Sequence, residues 1–439
     1  LHVLSFTVHS MLVATTDYFK QGDLDYCLAD LVSVVMDDIF GTVGQEKDAE
    51  EYVSKMKEVK SSKSFDSMEL LAKNSTIQNL ARLVRPLQEL LREKLNSNIV
   101  RKVDELLRRI GIGLLRNPGA ESRDLLIFCY EVIKESYEAP VQAENNARES
   151  TSEKFFLVNL KAPKRGDKRG STSSHVYKLT RFALDILRSV LNKYDSLLTP
   201  SNLSGFLPVI GDALVQAHEE VKISALRLLS TIIKLPLAEI DNNSHVYFTE
   251  AVKMVKEAPS TNTEAAQAAL KLIAAMLRER KATKLRDGHL AYLLQRLASD
   301  IEEPDRQGIT FNFIRAVMAR KFVVPEMYEL VDNIAAMMVT NQTRSARDLA
   351  RGVYIHFLIE YPQAKSRWTK QLGFLAKNLE YKHPHGRQSV MEAVHMLLSK
   401  TGPELAQDIV GTFFLPIVIV MTNDDAPECR EMAGTLLGE

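Results

Sequence analysis

The chain has 439 residues, 45% of them hydrophobic and 26% charged, with 56 Lys and Arg balanced by 56 Asp and Glu. Such a length exceeds what one hydrophobic core supports, and a formal net charge of zero supplies no global attraction to nucleic acid, so any such binding must be local. The three cysteines, Cys27, Cys129 and Cys429, have neither zinc-ligand nor redox spacing, which points to buried, reduced thiols.

The first residue is Leu rather than Met, and the sequence stops inside an apparent helix, as expected for a piece of a larger protein. The apolar start, Leu1 to Thr16, carries His2 and His9 without a basic leader and is a poor signal peptide. Charges of alternating sign from Glu46 to Lys63, with Glu51 one helical turn before Lys55, predict an exposed helix that fades into a Ser/Lys-rich loop. Two amphipathic faces follow, Ile77, Leu80, Ala81, Val84, Leu87 and Leu91, then Val103, Leu106, Leu107, Ile110 and Leu114. Asn117-Pro118-Gly119 marks a break before a helix at Ser122. Residues 1–138 thus read as irregular helical repeats.

Across residues 139–174 the apolar periodicity gives way to Ser, Glu, Asn and Lys, interrupted by Phe155, Phe156, Leu157 and Leu160. The expectation is a largely disordered linker with one short docking element. Inside it Lys161, Lys164, Arg165, Lys168 and Arg169 are opposed by the single acid Asp167. A flexible segment of that kind can follow a phosphate backbone without reading bases, which makes these five the candidate RNA contacts. A solvated linker or a nuclear-import-like patch has the same composition.

From 175 to 439 the helices repeat. Lys222, Arg306, Arg347, Arg387 and Arg430 each open an apolar stripe, with Ala265 as a weaker opener between the first two; consecutive openers stand 40 to 43 residues apart. Apolar residues follow at the third and seventh positions, as in Ala225 and Leu229, Ile309 and Phe313, Ala350 and Tyr354, Val390 and Val394, and Ala433 and Leu437. A fixed period near forty with two helices per unit predicts an all-α, HEAT-type α-solenoid. The basic openers have two possible roles. They could lie on the exposed side of the first turn of each second helix and pair with acidic loop residues, or they could form a ladder for phosphates or acidic partners. Glu220, Asp305 and Glu428 stand close to three of them and partly cancel such a ladder.

Motifs for chemistry are missing. Gly111-Ile112-Gly113 follows a helix without the Lys-Ser/Thr of a phosphate loop. His383-Pro384-His385 has no third ligand nearby, and His218-Glu219-Glu220 lacks the second His of a zinc helix. The acidic pairs Asp37-Asp38, Glu302-Glu303 and Asp424-Asp425 fall at helix ends or loops, where solvation and helix-start electrostatics explain them. The longest apolar run, Phe413 to Met421, contains Pro416 and is too short to span a bilayer. The reading is a protein with no catalytic residues, cofactor, metal, small-molecule substrate or membrane partner.

Three non-periodic blocks carry a resemblance. Asp37 to Lys73, DDIFGTVGQEKDAEEYVSKMKEVKSSKSFDSMELLAK, resembles a hallmark block of the down-regulated-in-metastasis family, very large HEAT-repeat scaffold proteins of the small-subunit processome. SDIEEPDRQGITFNFIRAVMARKFVVPEMYEL, from Ser299 to Leu330, is similar to it in the same way, as are ARGVYIHFLIEYP and QLGFLAKNLEYKHPHGRQSVMEAVHMLLSK in the stretch that begins at Arg347. The resemblance implies a nucleolar, non-enzymatic scaffold in pre-rRNA processing and 40S subunit assembly, with processome proteins and pre-rRNA or snoRNA as partners. Two other functions suit a helical solenoid: an adaptor for nuclear transport or phosphatase assembly, with an acidic or aromatic inner face, and the helical regulatory region of a giant kinase-like protein.

Overall fold

The computed structural model describes residues 2–41, 63–93, 95, 97–152, 175–281 and 286–438. Among the described residues the secondary structure is entirely helical, as the period-forty pattern predicts. The exposed helix expected between Glu46 and Lys63 falls almost wholly outside the described residues. The chain divides into two units, Leu1–Glu239 and Ile240–Glu439.

The N-terminal unit contains α1 (His2–Thr15), α2 (Leu28–Phe40), α3 (Lys63–Asn74), α4 (Ala81–Leu91), α5 (Ser97–Arg116), α6 (Arg123–Ser152), α7 (Tyr177–Lys193), the short α8 (Pro200–Leu203), α9 (Leu207–Leu214) and α10 (Glu219–Ile232). Helix α3 packs against α1, α2 and α5, while α7 packs against α5, α6 and α10. Both amphipathic faces read from the sequence turn inward: Ile77, Leu80, Val84, Leu87 and Leu91 are buried, and so are Val103, Leu106, Leu107, Ile110 and Leu114. Ala81, assigned to the first face, is exposed. The Asn117 break is fastened by its own side chain, which accepts from Gly119 N at 2.8 Å and donates to Ala72 O and Ser75 O, both at 2.8 Å. That satisfies backbone groups freed at two helix ends.

Helix α6 runs on to Ser152, so residues 139–152 are helical. Nor does the linker divide the unit, because α6 and α7, on either side of it, pack together. Residues 153–174 lie outside the described residues.

The C-terminal unit holds most of α11 (Ala238–Glu257), then α12 (Glu264–Glu279), α13 (Asp287–Leu297), α14 (Pro304–Ala319), α15 (Pro325–Thr340), α16 (Arg344–Glu360), α17 (Lys365–Asn378), α18 (Pro384–Lys400), α19 (Pro403–Asn423) and α20 (Pro427–Gly438). Proline is the first residue of α14, α15, α18, α19 and α20, where a missing N–H costs least. Second helices contact in series, α12 to α14, α16, α18 and α20, and first helices contact along a second layer, α13 with α15 and α17 with α19. The apolar positions of the ruler fill the space between layers: Phe313, Ala350, Tyr354, Val390, Val394 and Ala433 are wholly buried, whereas Ile309 and Leu437 are half-buried.

Helix α19 departs from the run-length expectation. It is 21 residues long, and by length and composition it is apolar enough to cross a membrane. Counting uninterrupted apolar residues missed this, because Gly411 and Thr412 separate Ile409 and Val410 from Phe413. Here α19 packs against α17, α18 and α20 and buries Ile409, Phe413, Ile417 and Val420. Phe414, Leu415 and Ile419 stay exposed on its other side.

Candidate interaction surface

The arginine openers act at the turn between paired helices. The last carbonyls of a helix have no intrahelical donor, and a cation there also meets the negative end of the helix dipole. Arg347 Nη1 donates to Asn341 O at 3.0 Å and Gln342 O at 2.9 Å. Arg387 Nη1 donates to Tyr381 O at 2.8 Å, and Arg430 Nη1 donates to Asp424 O. Arg306 reaches back the same six residues, but to a side chain, Asp300 Oδ1 at 2.9 Å. In each case the arginine folds back over its own loop.

Arg387 does more. Its Nη2 meets Asp424 Oδ1 at 2.7 Å and Asp425 Oδ1 at 2.6 Å, which ties one helix-pair turn to the next. The Asp424 carboxylate is buried and its Oδ1 also accepts from Ala426 N at 2.9 Å. The Asp424 contact and the Arg387 charge hold the Asp425 carboxyl below the ordinary carboxylate range.

These positions correct the placement of the openers. Arg347 and Arg387 are buried rather than exposed, and Arg306, Arg347, Arg387 and Arg430 spend hydrogen bonds on the turns. Pairing with acidic loop residues holds for Arg306 and Arg387; Arg347 and Arg430 take carbonyls instead. Lys222, on α10, is half-buried.

The N-terminal unit has an ionic corner that the ruler missed. Lys178 Nζ on α7 is within 3.0 Å of Asp104 Oδ2 on α5 and 2.7 Å of Glu220 Oε2 on α10. Arg181 Nη1 joins the same Glu220 oxygen at 2.6 Å. Beside them the rings of Tyr177 and His218 stack at 3.8 Å. Burial works against the Glu220 charge, but the bonds from Lys178 and Arg181 prevail and its pKa falls below the usual value. Stability from this corner is therefore full above the ordinary glutamate range and is lost as pH falls through the depressed pKa. A Lys178→Met chain is expected to show a shallower loss of N-terminal-unit stability with acid than the unaltered chain, measured by hydrogen exchange in α7 and α10 between pH 7 and 4. Lys178 stands 44 residues before Lys222, but Arg181 and Asp185 occupy the positions where the ruler requires apolar residues.

The five RNA-contact candidates, Lys161, Lys164, Arg165, Lys168 and Arg169, lie outside the described residues. The remaining sequence motifs have structural settings. Gly111 and Gly113 sit inside α5. His383 and His385 stack at 5.4 Å around the start of α18, and among the described residues no three His, Cys, Asp or Glu are grouped to hold a metal. Ser64 Oγ donates to the buried Asp38 at 2.6 Å. Cys129 is buried, which pushes its thiol up to about 12 and removes the thiolate that reactivity needs.

A family model described as the U3 small nucleolar RNA-associated protein 20 domain matches residues 1–133. U3 small nucleolar RNA-associated protein 20 of Schizosaccharomyces pombe is 42% identical over 443 residues, covering 100% of this chain and 17% of that protein. Its Saccharomyces cerevisiae namesake is 40% identical over 444 residues, covering 100% of this chain and 18% of that protein. The chain thus spans less than a fifth of the length of these curated relatives. Among solved structures, a chain from a structure of Kap95p binding to RanGDP is 13% identical with a TM-score of 0.49, covering 98% of this chain and 48% of its own length. Kap121p is 11% identical with a TM-score of 0.44, covering 94% of this chain and 37% of its own.

Proposed function

We propose, from the premise that this chain belongs to the U3 small nucleolar RNA-associated protein 20 family, that it is a non-enzymatic scaffold segment of the small-subunit processome. In that role it supports pre-rRNA processing and 40S subunit assembly in the nucleolus by binding assembly factors and pre-ribosomal RNA. The observation that carries this reading is the 40–42% identity along the whole chain. The architecture supports it: stacked helix pairs offer long surfaces, and solenoid repeats of this kind serve as extended binding faces. The test is to isolate the whole protein containing this chain from cells and probe what accompanies it. Co-purification of U3 snoRNA, pre-rRNA and processome proteins is the expected result. A cargo protein or kinase activity in their place would overturn it.

The RNA contact is assigned to Lys161, Lys164, Arg165, Lys168 and Arg169. Replacing all five with Ala is expected to reduce ultraviolet crosslinking of residues 153–174 to RNA in the assembled particle by at least about tenfold, since contacts of this class bind mainly by counterion release. Unchanged crosslinking would remove the assignment.

A further inference from the structure

Most arginines of the C-terminal unit are spent inside it. Arg280 pairs with Asp241 at 3.2 Å, Arg351 with Glu392 at 2.6 Å and Arg367 with Asp332 at 2.8 Å, and Arg320 donates to Arg280 O at 2.9 Å. Lys271 and Arg278 on α12 and Arg315 on α14 are different. They lie on the free side of two second helices that pack together, and all three are exposed. Among the described residues none of them pairs with a carboxylate. Arg278 Nη1 instead donates to Asn312 Oδ1 on α14 at 2.6 Å, which holds its guanidinium across the gap between the helices. The surface around Arg315 is low: Gly308 has nothing within 4 Å of its Cβ position, and at Gly352 on α16 only Arg315 Nη2 approaches, at 3.7 Å. No large hydrophobic side chain is exposed on α12 or α14, so this face lacks the apolar anchors that dominate protein–protein binding. Uncompensated guanidinium and ammonium groups beside an amide and bare helix backbone suit phosphate oxygens, which Arg meets with a planar fork. Acids do not cancel the row: one helix step turns Glu279 aside from Arg278, and Glu264 and Asp305 stand about two and three turns toward the helix starts.

We propose that Lys271, Arg278 and Arg315 form a platform for the sugar-phosphate backbone of RNA, which it contacts without reading bases. Seven residues of helix place Lys271 and Arg278 about 10 Å apart along α12, and Arg315 stands on a neighbouring axis about 8–10 Å away, so the three cations engage separate phosphates. The platform is independent of the five linker cations. That the partner is RNA rests on the processome reading, but contact is measured here in vitro, so its failure leaves co-purification of U3 snoRNA untouched.

The experiment uses the whole purified protein containing this chain and two RNA hairpins of equal length and unrelated sequence. Each hairpin is expected to shield Lys271 from acetylation and to slow hydrogen exchange in α12 and α14. With Lys271→Ala, Arg278→Ala and Arg315→Ala combined, the RNA concentration that half-protects α12 and α14 should rise at least about tenfold. The salt dependence of that protection should flatten as expected for the loss of about three phosphate contacts. Lys365→Ala with Lys400→Ala, exposed elsewhere in the same unit, should leave it unchanged. Circular dichroism melts establish that each variant is folded. Protection that survives the triple change, an equal loss in the control pair, or protection by one hairpin alone would each overturn the proposal. So would equal shielding of Lys271 by polyglutamate of matched charge, which would point to an acidic protein partner instead.

Discussion

Replacing Arg387 with Met is expected to lower the stability of the C-terminal unit by about 3 kcal/mol. That is the low end of what breaking a buried ion pair costs, because Asp425 faces solvent. Met approximates the length of the aliphatic stem, so most packing survives and the loss isolates the guanidinium. What remains is a buried Asp424 carboxylate without its cation, and Tyr381 O without its donor. For a unit of this size the change should lower the melting temperature by on the order of 10 °C. Arg387→Lys should recover little, since an ammonium cannot reproduce the planar fork that reaches a carbonyl and two carboxylates together. Adding Asp424→Asn to Arg387→Met should restore some of the loss by removing the orphaned charge. Hydrogen exchange in α18 and α20 checks the series. If Arg387→Met protects those helices as well as the unaltered chain does, the turn-to-turn tie contributes nothing.

The repeat fold was legible in the sequence because burial leaves a periodic trace. Phe313, Tyr354 and Val394 stand at the ruler's apolar positions and are buried. The destinations of the arginines were not legible. Arg347 binds backbone carbonyls, which every residue possesses, and Arg387 finds Asp424 in the next helix pair, where proximity depends on how the repeats stack. Lys178 escaped for the opposite reason: the cluster around it needs Arg181, which occupies an apolar slot of the pattern. The non-periodic blocks, rather than the ruler, pointed to the family whose members match along the whole of this chain.

Gly113 tests how closely two helices of the N-terminal unit must approach. Gly111-Ile112-Gly113 invites comparison with a phosphate loop, but both glycines are helical and only one is constrained by backbone. A Cβ on Gly113 would stand 2.2 Å from Glu69 O and 2.8 Å from Ala72 Cβ on α3, so neither helix can accept it without moving apart. A Cβ on Gly111 would meet Ile186 Cδ1 at 2.9 Å, the far end of a side chain that can rotate away. Gly211, on α9, has nothing within 4 Å of its Cβ position. The three substitutions should therefore diverge. Gly211→Ala is expected to stabilise its helix by about 0.5–1 kcal/mol, the usual gain of Ala over Gly in a helix interior. Gly111→Ala should be nearly neutral, with that gain offset by a rotamer change. Gly113→Val should cost about 3 kcal/mol, the upper end of the overpacking range, because the obstacle is a main-chain carbonyl. Separating α3 from α5 would also disturb α7, which packs on α5, so the effect should spread to faster exchange in α7. Thermal melts of the three variants with hydrogen exchange in α3, α5 and α7 separate these outcomes, and a Gly113→Val chain that matched Gly111→Ala would show that the α3–α5 approach is not needed for stability.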